Sequence, residues 1–281
     1  MTADARFILL ARIAAILCPD YPMKWPQLDW IHSPEFRTYL DRFGESNSFN
    51  TERRWTLMQL TRMAQGVPGD TAECGAFQGA GSYLICMANE RTRMHHVFDS
   101  FEGLSAPGVN DGGYWSAGGF ATPEAVVIEN LRDFDGHYQL HKGWIPAKFP
   151  SVAGNQFAFV HIDVDLYQPT ADSIAFFYPR MPPGAVLVCD DYGSATCPGA
   201  SNAIDEFLAD KPEKMIELPC GSGFMIKGVE TAGQLGSTQR GQPEMKPSYG
   251  TIAFNLAKLL LALPLFTARR VLRSFVPGRG P

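Results

Sequence analysis

The sequence predicts an α/β fold: a mostly parallel sheet, covered by helices on both faces and finished by an antiparallel hairpin strand. Three observations predict it. From Asp70 onward, short apolar runs alternate with helix-length segments, the texture of βαβ units whose strands are buried on both sides. Two consecutive runs end in carboxylates, in His161-Ile162-Asp163-Val164-Asp165-Leu166-Tyr167 and in Cys189-Asp190-Asp191-Tyr192, as side-by-side strands ending at one rim would. The last two runs, 214–218 and 223–227, are joined only by Pro219 to Ser222, too short for a crossover and suited to a hairpin.

The elements follow in order. Before residue 66 the pattern is helical: Ser33-Pro34 supplies an N-cap and a proline at the first helical position, and Asn50-Thr51 opens a helix with Trp55, Leu57, Met58, Leu60 and Met63 as its apolar residues. Strands are expected at 70–75, 94–99, 137–142, 157–163 and 184–190, with helices at 80–90, 122–133, 168–180 and 199–209 between them. The hairpin runs bring the sheet to seven strands. One long interruption, from Ser100 to Ala121, carries repeated glycines with Tyr114 and Trp115. A loop of that length after the second strand overhangs the carboxyl edge, where open α/β sheets bind ligands, and is read as a substrate lid.

The chain of 281 residues, 45% apolar and 19% charged, is long enough for one substantial core and shows no second set of strand signals. Residues 1–65 form a helical segment serving as a cap, a lid or a dimer contact, 66–228 the α/β domain, 229–250 a linker, and 251–281 a tail. A formal charge of -5 gives no footprint for nucleic acid. The six cysteines form no CxxC pair and several lie in apolar runs, which favours a reducing cytoplasm. Phe7 to Cys18 is apolar but broken by Arg12 and lacks a small-residue cleavage site. It reads as an amphipathic helix packing on the domain or on a partner subunit, so a homo-oligomer is one expectation.

If the two strands that end in these four carboxylates lie side by side, their ends sit about 5 Å apart. That much negative charge needs a cation or raised pKa values, and a hard divalent ion is the economical answer. Glu73-Cys74-Gly75-Ala76-Phe77-Gln78-Gly79-Ala80-Gly81-Ser82 ends the first strand and opens a helix, with glycines that let a ligand approach the backbone. An acidic residue leads it and no GxGxxG follows, so a cationic ligand group suits it better than a pyrophosphate. The plainer reading is a turn for tight helix packing. Asp99 ends the second strand, where an acid commonly accepts from both hydroxyls of a ribose, though an aspartate there is also ordinary loop chemistry.

The ordered set Pro68-Gly69-Asp70, Glu73-Cys74-Gly75, Phe98-Asp99-Ser100-Phe101-Glu102-Gly103-Leu104, Lys142-Gly143-Trp144, Asp163-Val164-Asp165-Leu166-Tyr167, Tyr178-Pro179-Arg180 and Asp190-Asp191-Tyr192 resembles the macrocin O-methyltransferase family. These are magnesium- and S-adenosylmethionine-dependent sugar methyltransferases, and the likeness covers roughly residues 50–228. It implies a class I methyltransferase (Rossmann-like) domain. By resemblance, Glu73, Gly75 and Ser82 lie near the methionine part of the cofactor, and Asp99 at the ribose with Ser100 also a cofactor contact. Gly143 and Trp144 lie beside the adenine. Asp163, Asp190 and Asp191 hold Mg2+, and Asp165 is the general base. Ile145 and Lys148 depart from the family pattern, which touches acceptor recognition more than methyl transfer.

A metal ion chelating two sugar hydroxyls lowers their pKa, and a carboxylate within reach takes the proton, a part open to Asp165 if Asp163 is committed to the ion. Tyr167 and the 100–121 loop are candidates for acceptor contacts. His161, which alternates with Asp163, reads as a supporting partner or as a satisfied core histidine, and His141 is similarly ambiguous. After Glu244 every charged residue is basic, and Arg269, Arg270 and Arg273 oppose Ala268, Leu272, Phe275 and Val276 at helical spacing. Such a tail suits the cytoplasmic face of an anionic membrane as a peripheral contact, or packs on protein. Two rivals to a sugar or glycoside methyltransferase stand: a glycosyltransferase using Asp163-Val164-Asp165 as a DxD motif, and a non-catalytic binder of S-adenosylmethionine or sugar.

Overall fold

The computed structural model describes residues 3–17, 29–45 and 50–231. The chain divides into two units, Met1–Asp29 with Gln242–Pro281, and Trp30–Gly241. In the first, the described element is α1 (Ala3–Leu17), on which Ile8, Leu9 and Leu10 are exposed. The basic tail expected at 251–281 and nearly all of the 229–250 linker lie outside the described residues.

The second unit begins with α2 (Pro34–Phe43) and α3 (Thr51–Met63). Pro34 starts α2 where a missing N–H costs nothing, and Gly44, left-handed at φ 67°, stops it by bonding back to the Leu40 carbonyl. Then come β1 (Asp70–Cys74), α4 (Ala80–Ala88), β2 (His95–Asp99), α5 (Glu124–Leu131), β3 (Tyr138–Lys142), β4 (Phe157–Ile162), α6 (Tyr167–Phe177), β5 (Val186–Cys189), α7 (Pro198–Leu208), β6 (Ile216–Glu217) and β7 (Gly223–Ile226). The strand order is β3-β2-β1-β4-β5-β7-β6. The pairs from β3 to β5 are parallel, and β7 pairs antiparallel with both β5 and β6.

This is the seven-stranded, mostly parallel sheet that the sequence predicts, with differences at element ends that have local causes. The helix expected to reach residue 180 stops at Phe177, and Pro179 lies in the short 3-10 turn that follows. The helix expected from 122 starts at Glu124, because Pro123 is extended and restricts the residue before it. The 214–218 strand shrinks to two residues: the backbone of Lys214 pairs with Thr231 Oγ1, and its ammonium caps the carbonyls of Leu208, Ala209 and Lys211.

Alternation along the strands sorts the two faces. Ala72, Cys74, Phe98, Val160, Ile162, Leu187 and Cys189 pack with Phe177 of α6 and Ala200 and Ile204 of α7 on one side. On the other side Val97 packs with Phe36, Tyr39, Met58 and Leu84, and Phe159 and Val188 with Leu57 and Ile85. Each fully buried large apolar side chain contributes roughly 1.5–3 kcal/mol, so β1 and β4 are held rigidly beneath whatever sits on their ends. The sheet order reverses between those strands, and the crevice beyond their carboxyl ends is where such folds bind ligands.

Candidate active site

A cavity of about 620 Å³ opens at that crevice. Gly75, from the turn after β1, forms part of its wall at φ 84°, and a Cβ there would lie 1.8 Å from the Asp163 carbonyl oxygen. Only glycine allows the β1 and β4 ends to approach so closely. The Asp163 N–H donates to the Cys74 carbonyl at 2.8 Å and the Gly75 N–H to Phe98 at 2.9 Å, which locks three strand ends together.

Asp99 also lines the cavity. Its Oδ2 accepts from the Ala76 and Phe77 N–H groups at 2.7 and 3.1 Å, and its Oδ1 from the Phe101 N–H at 2.7 Å. One carboxylate thus shapes the turn after β1 and faces the cavity, and Oδ1, with a single donor, keeps a lone pair for another. Ser100 sits beside it, its hydroxyl donating to Gly103 and accepting from Glu102. Gly143 and Trp144 lie beside them after β3, with the Gly143 N–H donating to the Asp99 carbonyl and Trp144 41% exposed, open to a flat ring.

Glu73 and Ser82 are elsewhere. Neither is on the cavity wall: Glu73 is buried beneath α4, and Ser82, on the buried face of α4, meets it there. The strand register sets Glu73 beside His161, so its side chain points between the sheet and α4, where it accepts from Ser82 Oγ and meets His161 Nδ1 at 2.8 Å. Burial opposes ionisation of Glu73, but His161, His95 and Ser82 outweigh it and hold its pKa below the usual carboxylate range. The resemblance puts both near the methionine part of the cofactor; in this position neither side chain opens onto the cavity. Tyr167 is also off the cavity wall: its hydroxyl donates to Glu206 at 2.5 Å.

Asp163, Asp165, Asp190 and Asp191 all face the cavity. Asp165 adopts φ 58°, an unusual value outside glycine, and its N–H donates to Asp191 Oδ2 at 3.1 Å. Burial, then the neighbouring Asp190 charge, pushes Asp163 up to about 7, and burial above all pushes Asp165 up to about 6. Asp191 is raised well above its ordinary value by burial and the surrounding carboxylates. Asp190 goes the other way: although burial opposes it, His161, Arg54 and Arg53 keep it ionised.

The sequence reading missed the cationic half of this cluster. Arg53 and Arg54, in the first turn of α3, enter the cavity from above: Arg53 Nη1 is 2.7 Å from Asp190 Oδ2, and Arg54 Nη1 is 3.7 Å from Asp163 Oδ2. His161, although burial opposes it, is raised to about 10 by Asp190 and Glu73 and adds a third positive group. Two guanidiniums and this imidazole against four aspartates and Glu73 still leave an excess of negative charge, which the raised pKa values of three of the four aspartates express. Two three-donor sets lie here, His161 with Asp163 and Asp190, and Asp165 with Asp191 and Cys197, each with its ligand atoms within 4.8 Å of one another. The donor set and its surplus charge fit a divalent cation.

The 100–121 loop supplies Trp115 and Phe120 to the opposite wall. It is pinned by Asp111, which is 3% exposed and accepts from the N–H groups of Tyr167 at the start of α6 and of Gly108, both at 2.6 Å. The five described cysteines are free thiols, of which Cys197 lies on the cavity wall.

The family model Macrocin-O-methyltransferase (TylF) matches residues 53–219. The chain is 31% identical over 165 residues to demethyldecarbamoylnovobiocin O-methyltransferase of Streptomyces niveus, covering 52% of this chain and 61% of that one. It is 29% identical over 151 residues to 8-demethyl-8-(2,3-dimethoxy-alpha-L-rhamnosyl)-tetracenomycin-C 4'-O-methyltransferase of Streptomyces olivaceus, covering 49% and 58%. The chain thus spans about three fifths of the length of these relatives. A crystal structure of calicheamicin methyltransferase superimposes with a TM-score of 0.57 at 20% identity, covering 75% of this chain and 100% of that one, a likeness of fold.

Proposed function

The chain belongs to the macrocin O-methyltransferase family, and from that membership we propose that it transfers a methyl group from S-adenosylmethionine to a hydroxyl of a sugar or glycoside, with a divalent cation, Mg2+ in the first instance, at the aspartate cluster. The relatives' names support the acceptor class. One observation carries the reading: Gly75 and Asp99, which can hold a nucleoside-bearing cofactor, open onto the same cavity as Asp163, Asp165, Asp190 and Asp191.

Bound S-adenosylmethionine supplies an electrophilic methyl on a sulfonium, and a bound divalent ion supplies acidification of a coordinated hydroxyl. The chain's own residues do the rest. Asp99 would accept from a ribose hydroxyl through Oδ1 while its backbone contacts fix its orientation, and Gly143 and Trp144 would flank the adenine. Asp163, Asp190 and Asp191 hold the cation. Asp165 takes the proton on Oδ2, because Oδ1 already accepts from the Cys197 thiol. Asp165 would thus receive the acceptor's proton as that oxygen takes up the methyl group that S-adenosylmethionine would supply, leaving the neutral thioether as the product of the donor. Holding oxygen, carbon and sulfur in line contributes up to roughly 7–11 kcal/mol of barrier lowering, which is why the site stands on the ends of rigid strands. Trp115 and Phe120 close the acceptor side against water.

Family membership displaces the reading of Asp163-Val164-Asp165 as a nucleotide-sugar DxD. For the 251–281 tail we retain the proposal of peripheral contact with the cytoplasmic face of an anionic membrane; among the described residues no helix is long and apolar enough to cross one.

The test is methyl transfer itself. Purified full-length protein with labelled S-adenosylmethionine, Mg2+ and a panel of nucleotide sugars and glycolipid extracts is expected to yield a product heavier by one methylene, and Asp165→Asn to abolish it. Cofactor binding without any methylated product would favour the non-catalytic reading, and sugar release from a nucleotide sugar would restore the glycosyltransferase.

A further inference from the structure

Arg54, in the first turn of α3, stands on the cavity wall with donors unused. Its Nε and Nη1 are buried and make no hydrogen bond among the described residues; Asp163 Oδ2, 3.7 Å from Nη1, is an ion-pair partner beyond hydrogen-bond reach. The neighbouring Arg53 is the contrast, with Nη1 2.7 Å from Asp190 Oδ2 and Nε donating to the Cys220 carbonyl at 3.2 Å. Burial opposes the charge on Arg54, but Asp190 and Asp163 outweigh it and hold the side chain protonated. A buried, charged donor left unpaired is costly, so the molecule that fills the cavity is expected to bring it an acceptor. The planar fork of a guanidinium matches a carboxylate through two parallel hydrogen bonds.

The strand order says which molecule brings it. Along the rim, Trp144 follows β3, Asp99 ends β2, Gly75 follows β1 and Asp163 follows β4, and these strands are neighbours in that order. A cofactor with its adenine at Trp144 and its ribose at Asp99 therefore runs its amino-acid chain over Gly75 toward the β4 end, two strand spacings or about 10 Å further on, where Asp163 and Arg54 stand together. Glu73 and Ser82 do not open onto the cavity, so the end of that chain needs another partner. Charge selects the same molecule. The cluster already carries surplus negative charge, which repels an acceptor that is simply anionic, such as a sugar acid. S-adenosylmethionine carries its carboxylate together with an ammonium and a sulfonium, and enters with a net positive charge.

We propose that Arg54 receives the α-carboxylate of S-adenosylmethionine and so makes this site selective for an adenosyl cofactor with an intact amino-acid end. The inference rests on reading the protein as a methyltransferase. The rival role, a guanidinium that only offsets the charge of Asp163 and Asp190, gives no preference for a carboxylate on the ligand.

Calorimetric binding to full-length protein with Mg2+ present separates the two without any assay of activity. The probes are S-adenosylhomocysteine and its decarboxylated counterpart, S-adenosyl-3-thiopropylamine. Wild-type protein is expected to bind S-adenosylhomocysteine about 10- to 100-fold more tightly, the scale of a charge-assisted hydrogen-bonded pair. In Arg54→Met that preference should disappear, with the affinity for the decarboxylated ligand nearly unchanged, and Arg54→Lys, a point charge without the fork, should keep part of it. Equal affinity of the wild type for the two ligands overturns the proposal even where a variant fails to fold, and so does an equal loss for both ligands in Arg54→Met. A third arm offers methyl glucuronide and methyl glucoside to protein saturated with S-adenosylhomocysteine: a preference for the glucuronide that Arg54→Met removes would place the carboxylate on the acceptor and overturn the assignment to the cofactor. Each of these results leaves methyl transfer standing, whereas wild-type protein that binds no S-adenosylhomocysteine at all overturns both this proposal and the cofactor reading beneath it.

Discussion

The Cys197 thiol donates to Asp165 Oδ1 over 3.4 Å, while its sulfur accepts the indole N–H of Trp115 at 3.3 Å. The thiol therefore links the candidate base to the loop covering it. A hydrogen bond of this kind is worth about 0.5–1.5 kcal/mol. Cys197→Ala is expected to lower kcat by about 2- to 10-fold with an unchanged KM for S-adenosylmethionine, and Cys197→Ser to retain most of the rate. Steady-state kinetics on the acceptor found in the methyl-transfer panel check this; a fall confined to KM for the cofactor would contradict it.

Arg53 and Asp190 form a largely buried ion pair, 18% and 5% exposed in their side chains. Removing one partner leaves the other charge buried and uncompensated, at about 3–5 kcal/mol. Arg53→Met should therefore lose stability on that scale in urea unfolding without divalent cation. A saturating divalent ion should recover more stability in the variant than in the wild type, because it restores positive charge beside Asp190.

Arg53 shows where the sequence stops being readable. It and Asp190 are 137 residues apart, and a charged pair in the first turn of a helix carries no periodic mark of facing inward. The strands, the hairpin and the glycine turn were legible because each depends on local alternation, spacing or backbone freedom. The four aspartates were legible as strand ends, and Asp99 likewise. Glu73, expected near the cofactor, and Tyr167, expected at the acceptor, also stand at element ends, yet β1–β4 register turns Glu73 inward to His161, and the Tyr167 hydroxyl bonds Glu206. Register and helix rotation are tertiary facts, and a single sequence does not print them.

Two sets of groups give opposite pH responses. His95 and His141 are lowered to about 4, chiefly by burial. The unfolded chain takes up those protons near pH 6.5 and the folded one does not until about 4, so stability is intact above 6.5 and falls as pH drops through that window. Asp163 and Asp165 are raised to about 7 and 6, against about 3.9 unfolded. Here the folded state binds more protons, so stability falls as pH rises from about 4 to 7. Without divalent ion the two limbs overlap and largely offset each other between about pH 4 and 6.5, leaving the Asp163 contribution to fall on toward pH 7. A bound cation removes the second limb, so Mg2+ or Mn2+ should stabilise the protein much more at pH 7.5 than at pH 5 in paired urea titrations. Equal stabilisation at both pH values would argue against the aspartates as its ligands.

Asp111 ties the 100–121 loop to the start of α6, where a carboxylate meets free N–H groups and the positive end of the helix. Gly199 makes room for it: a Cβ there would lie 2.1 Å from Asp111 Oδ1. Asp111→Ala removes the acceptor for both the Tyr167 and Gly108 N–H groups, so the loop should detach while the sheet beneath, whose core Asp111 does not touch, stays folded. The loop contains no lysine or arginine but presents Tyr114, Trp115 and Phe120. Limited chymotrypsin digestion, with cleavage sites read by mass spectrometry, is expected to cut the variant at these positions at least several-fold faster than the wild type, with an unchanged urea midpoint for the remainder of the domain. Identical cleavage rates would mean that the aromatic contacts of Trp115 and Phe120 hold the loop without the latch.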